Sequence, residues 1–201
     1  MPKRYKDLRR RAREEIKTDE DLILLSIFSA LIGTFGYYFD NMYILIGAML
    51  VSPLFDPLIS FVIFLASKRW KNAIRALYSF VLIVLLSLIF SVILFYFLNR
   101  MQIFTSVVSY VPIPTIEQFM LAVVLGMTGM FMWMWPKTSN TSAGVAVSVT
   151  LFPPLISISN ALITYDSANV RAYTSILILN VLGIIMGAFL ALVMKYRVGD
   201  K

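Results

Sequence analysis

The sequence predicts an all-α polytopic membrane protein of six transmembrane helices, built as two inverted three-helix repeats with proline-broken helices 2 and 5. Three observations predict it: long uninterrupted apolar runs, Lys and Arg gathered on one side, and an internal repeat that carries the first three runs onto the last three.

The apolar runs come first. Apolar residues make up 59% of the chain and charged residues only 14%, against about a quarter charged in ordinary soluble domains. Six runs can be read, approximately Leu22–Phe39, Met42–Ala66, Ala73–Leu98, Phe119–Trp135, Ser142–Thr164 and Ala172–Met194. Each approaches or exceeds the roughly 18 residues that cross the hydrocarbon layer as a helix. No cleavable signal peptide is apparent, because the first run follows a long charged segment. The chain contains neither Cys nor His. This leaves no disulfide framework and removes the commonest metal ligand and general base. No metal site, cofactor or enzymatic activity is expected.

Charge fixes the orientation. With the N-terminus in the cytoplasm, all but Arg100 and Arg171 of the eighteen Lys and Arg fall on the inner side. That is the asymmetry that orients membrane proteins, so the net charge of +7 reflects topology, and no nucleic-acid partner is expected. Trp70, Trp133 and Trp135 fall near the same boundary, where indoles anchor. The expected location is the inner (plasma) membrane, multi-pass, with both termini cytoplasmic.

The segments divide accordingly. Residues 1–21 form a basic N-terminal arm, 22–98 the first membrane repeat and 99–116 an extracytoplasmic connection containing Pro112 and Pro114. Residues 117–195 form the second repeat and 196–201 a cytoplasmic tail. In the arm, Leu8, Ala12 and Ile16 make a thin apolar stripe. It suits a solvated helix or loose arm better than one lying on anionic headgroups. Thr18 and Asp21 fit a cap at the start of the first membrane helix.

The repeat rests on Leu54-Phe55-Asp56-Pro57-Leu58-Ile59-Ser60 and Leu151-Phe152-Pro153-Pro154-Leu155-Ile156-Ser157, offset by 151 − 54 = 97 and differing only at the third position. The same offset pairs Gly47 with Gly144 and Asn72 with Asn169. Three helices per repeat is an odd number, so the second half enters the membrane from the opposite side, a common construction of secondary transporters.

Prolines lie at mid-depth of the second and fifth runs: Pro53 and Pro57, then Pro153 and Pro154. Each removes a backbone donor and should kink or break its helix, and the freed groups must then be buried in protein or line a cavity. Paired breaks point to a transport site. Asp56 is the only acidic residue deep in a span. It reads either as a cation- or proton-binding group or as an N-cap with Pro57 at the first helical position. Ser52, Ser60, Thr150, Ser157, Ser159 and Asn160 would line the pocket, though each alone more often bonds its own helix.

Gly183, Gly187 and Ala191 form a small-residue face. Ser29, Gly33 and Gly36, and Gly126 and Gly129, form others. Such faces serve packing within a subunit or a homodimer, and a homodimer is the expectation.

Ile46-Gly47-Ala48-Met49-Leu50-Val51-Ser52-Pro53-Leu54 resembles the signature of domain-of-unknown-function family three-eighty-nine, hydrophobic proteins of bacteria and archaea. Leu151-Phe152-Pro153-Pro154-Leu155 is similar to its second proline motif. The resemblance spans about residues 22–195. A small residue, often glycine, stands in that pattern where this chain has Asp56. The resemblance implies the architecture and no particular activity.

The functional expectation is transport of a small solute or ion through a midplane site between the two repeats. The alternative is a non-transporting scaffold or sensor that binds lipid or a cytoplasmic partner.

Overall fold

The computed structural model describes residues 3–15, 20–101, 113–134 and 140–198. Among them the chain is helical throughout: α1 (Lys3–Glu15), α2 (Glu20–Tyr38), α3 (Met42–Val51), α4 (Phe55–Ala66), α5 (Trp70–Met101), α6 (Ile116–Met134), α7 (Asn140–Ile163) and α8 (Ser167–Val198). Ile16, Thr18, Trp135, Lys137 and most of the connection after α5 lie outside the described residues.

Four helices (α2, α5, α6 and α8) are long and apolar enough to cross a membrane. Helices α3 and α4, which meet at an angle of 47°, make a fifth if the bent pair is counted as one span. Six were expected. The qualifying apolar part of α7 is only Thr150–Ile163, although the helix itself has 24 residues.

Local chemistry accounts for the helix ends. Asn41 caps α3, its side chain accepting from the backbone N–H groups of Tyr43 (3.0 Å) and Ile44 (3.3 Å). Thr115 and Gln118 exchange side chain-to-backbone bonds, both 3.3 Å, as a capping box at the start of α6. Three helices end on a residue with positive φ: Asp40 after α2, Lys68 after α4 and Tyr165 after α7. At each, two backbone bonds close the end in the Schellman pattern. After α4 they are Lys68 N to Leu65 O and Arg69 N to Phe64 O; after α7 they are Tyr165 N to Leu162 O and Asp166 N to Ala161 O.

Contacts between helices fix their relative directions. Ser87 Oγ donates to Ser26 O at 3.4 Å, the Thr34 and Ser91 hydroxyls bond at 2.7 Å, and Tyr38 donates to Leu98 O at 3.2 Å. The two numbers rise together, so α2 and α5 run the same way. Gly33 of α2 faces Phe152 of α7, and the Tyr37 hydroxyl reaches Ser157 and Asn160, so α7 runs that way too. In the other direction, Gly183 of α8 meets Phe119 and Ala122, while Gly187 meets Val123 and Met127. This makes α6 and α8 parallel to each other, and the tight turn after α7 sets α8 antiparallel to α7.

These glycine contacts correct the reading of the small-residue face. A Cβ at Gly187 would collide with the carbonyl of Val123, and one at Gly126 with that of Ile184. Ala191 is fully buried. The face is consumed where α6 and α8 approach backbone to backbone within one subunit, so a homodimer loses the feature that suggested it.

The N-terminal arm is also docked. Helix α1 packs on α4, Ala12 is fully buried, and Leu8 touches the core. Arg11 donates to Trp133 O at 3.3 Å, and its guanidinium lies 4.8 Å from the centre of the Trp133 ring. A cation is favoured at this C-terminal end of α6. A loose arm is therefore not what forms. Trp133, buried beneath the arginine, is not an interfacial anchor.

A candidate polar site at the helix break

The break lies between α3 and α4. Ser52 is the C-cap of α3, its N–H bonded to Ala48 O at 3.1 Å. Pro53 and Leu54 form the turn. Leu54 is the N-cap of α4 and makes no side-chain cap bond. Asp56 is therefore not the cap that its position before Pro57 suggested: it is the second helical residue, half-buried in the first turn. Pro57 is the third, where its missing N–H is one of the orphan donors of any helix start. This is why the second proline ends nothing, while Pro53 sits in the bend.

The helix of the fifth apolar run behaves differently. Helix α7 carries Pro153 and Pro154 in its interior without interruption, so no break forms where one was expected. Pro154 cannot donate to Thr150 O, and a second helix supplies the donor instead. Asn180 of α8 donates its side-chain amide to Thr150 O at 2.7 Å. A freed carbonyl that finds a partner on a neighbouring helix no longer drives the helix apart.

The sequence-identified residues thus separate into three places. The first surrounds the bend, with Ser52, Pro53, Asp56, Pro57 and Ser60. Around the middle of α7 are Thr150, Pro153 and Pro154 with Asn180. Toward the C-terminal end of α7 are Ser157 and Asn160, reached by Tyr37. Thr150 and Asn160 are ten residues apart on one helix, about 15 Å, too far to share one small ligand. Ser157 and Ser159 bond the carbonyls of Pro153 and Leu155 on their own helix, at 3.0 and 3.2 Å. For them the ordinary structural role holds.

The first two places adjoin. Gly33 touches both Phe152 of α7 and Ala48 of α3, and these two helices run antiparallel. One turn from this shared contact, toward the N-terminal end of α7, lie Ser52 after α3 and Ser148 on α7, at matching depth. Both are buried, as is Ser60, and none of the three hydroxyls has a hydrogen-bond partner. The oxygen of the Asn160 amide is also buried and unpartnered. Buried hydroxyls without partners are uncommon in a finished fold. The junction of α2, α3 and α7 is therefore an apolar setting with several unused polar groups, beside a bend that carries a carboxyl group.

Ser148, Asn180 and Tyr37 are the residues that sequence reading missed. Asn180 had a signal: an amide within an apolar run needs a partner across a helix boundary.

No curated protein and no solved structure matches the chain. The family model described as Domain of unknown function (DUF389) matches residues 49–186, from α3 through the bend and the Thr150–Asn180 pair into α8, and the chain belongs to that family.

Proposed function

We propose that the protein is a six-span transporter of inverted-repeat design, moving a small solute or ion through the junction of α2, α3 and α7. The observation that carries this reading is the set of buried, unpartnered hydroxyls: Ser52 and Ser60 at the α3–α4 bend and Ser148 on the adjoining α7. A ligand would complete their hydrogen bonding, and only irregular or interrupted helices offer such a lining at membrane depth.

Element bounds support two related halves. Helices α5 and α8 each have 32 residues, and their first residues, Trp70 and Ser167, differ by 167 − 70 = 97. The positive-φ residues Lys68 and Tyr165 differ by the same 165 − 68 = 97, as do the bonds that close their turns. Helix directions support inversion: α2 and α5 run one way, and their counterparts α6 and α8 run the other. The bundle end shared by the starts of α2 and α5 and the ends of α4, α6 and α8 is the basic one, which we take as cytoplasmic. Asp56 is proposed as the group that binds a cation or proton at the bend.

The alternative, a non-transporting lipid- or partner-binding module, is favoured by the docking of α1 across α4 and Trp133.

The test is a thermal-shift screen of the purified protein over ions and metabolites, followed by uptake of any hit into proteoliposomes. Ser52→Ala and Ser148→Ala remove groups that make no bond, so the ligand-free protein should melt no lower, or slightly higher. Both variants should lose ligand stabilisation. Asp56→Asn should keep the fold and lose pH- or cation-dependent uptake. Variants that keep the full ligand shift would remove the site from this junction.

A further inference from the structure

We propose that the inner end of the molecule carries a built-in binding surface for anionic phospholipid headgroups, formed by the outward face of α1 and the turn between α4 and α5. This surface is independent of the transport reading.

The docking of α1 decides what its remaining face can do. An amphipathic helix that rests on a bilayer puts its apolar stripe into the acyl boundary. Here that stripe is already occupied, with Ala12 buried and Leu8 held against the core. What is left is charged. Lys3, Lys6, Arg10 and Arg13 recur at spacings of three and four along the sequence, the register of one side of α1. Arg10 and Arg13 are exposed. By the same spacing Asp7 and Glu14 fall to one flank of that register. Held by protein, such a helix offers charge to headgroups without inserting.

The second limb is more purely basic. Lys68, Arg69, Lys71 and Arg75 are all exposed, and no acidic residue occurs between Asp56 and Glu117. Trp70 stands exposed among them, and directly beyond it Ile74, Leu77 and Tyr78 form an exposed apolar side of α5. On a membrane-spanning helix that side faces acyl chains. Charges one turn further along then lie at headgroup level, with an indole at the interface. Only residues 16–19 separate α1 from the start of α2, which lies at the same end of the bundle as this turn. The continuity of apolar side, indole and cations selects the bilayer's own anionic headgroups as the occupant. Each such cation contributes about 1 kcal/mol near an anionic surface.

The full chain, purified in a neutral detergent, is titrated with phosphatidylglycerol, with phosphatidylcholine and with soluble glycerol phosphate, and melting temperature and bound lipid are read. Phosphatidylglycerol should stabilise and remain bound, weakening as salt rises, while phosphatidylcholine should not. Arg10→Gln with Arg13→Gln, and separately Lys68→Gln with Lys71→Gln, should each lower the apparent affinity roughly fivefold per charge removed. All four side chains are exposed, so melting in phosphatidylcholine should be unchanged. If one pair fails to fold, the other still decides. Equal response to both lipids, or phosphatidylglycerol binding untouched by either pair, overturns the proposal. Glycerol phosphate competing as well as the lipid does would assign the surface to a soluble phosphate and likewise overturn it.

Discussion

Pro154 and Asn180 form the most informative pair of single residues. Proline in a helix interior removes one bond, and the sequence reasonably predicts a break; the amide that prevents it comes from another helix, which no local rule can see. Asn180→Leu should destabilise the protein by about 1–2 kcal/mol by removing the bond to Thr150 O. Pro154→Ala restores the local donor, so Asn180→Leu should cost clearly less in that background, giving a measurable coupling in a double-mutant cycle of unfolding in micelles. Additive effects would show that the amide does not compensate for the proline. Asp56 was legible as an unusual carboxyl group but not in its placement, because the helix starts at Phe55 and not after it. Asp166, outside the membrane spans, accepts from the backbone N–H groups of Asn169 and Ala168 at 3.1 Å and from the Asn169 amide at 2.7 Å. The bonds from Asn169, backbone first, hold its carboxyl below the usual range. A lowered pKa contributes stability that is present above the ordinary carboxylate value and lost as pH falls through the folded one. Asp166→Asn still caps α8 but does not titrate, so its melting temperature should fall less between pH 5 and pH 2 (~1–2 units either side of the ordinary Asp value).

At the scale of elements, the apolar runs located α2, α5, α6 and α8 to within a few residues, because a twenty-residue apolar stretch has few alternatives to a helix. Packing partners were less legible. Gly183, Gly187 and Ala191 announced a close approach but not its partner, since subunit and dimer contacts use the same small residues. The structure places α6 there. Gly187→Leu should therefore destabilise the monomer by roughly 3 kcal/mol, the upper end of overpacking costs, because the obstructing atoms are backbone. The measurement is unfolding of the solubilised protein alongside its mass in solution. A clean shift in oligomeric state with unchanged stability would return the face to a dimer. The stripe of α1 shows the same asymmetry: Leu8 and Ala12 correctly marked an apolar side, while the docking of α1 on α4, with Arg11 over Trp133, was not encoded locally.

At the scale of the whole molecule, the proposal of two related halves rests on a numerical regularity that began in the sequence. The offset of 97 that relates Leu54–Ser60 to Leu151–Ser157 also relates the turn at Lys68 to the turn at Tyr165, down to the bonds that close them. The halves are not identical in what they hold. The first is bent at Pro53, while the second is continuous and tied by Asn180, so the proposed site would draw on the bend of one and the straight helix of the other. A non-inverted arrangement would put the turns at Lys68 and Tyr165 on the same side of the membrane, and an inverted one on opposite sides. Both residues are exposed, and the chain has no native Cys. Lys68→Cys and Tyr165→Cys in separate single-cysteine variants can therefore be probed in intact cells with a membrane-impermeant maleimide. Tyr165→Cys should label from outside, and Lys68→Cys only after the cells are opened. Labelling of both from the same side would contradict the inverted arrangement on which this account of the protein rests.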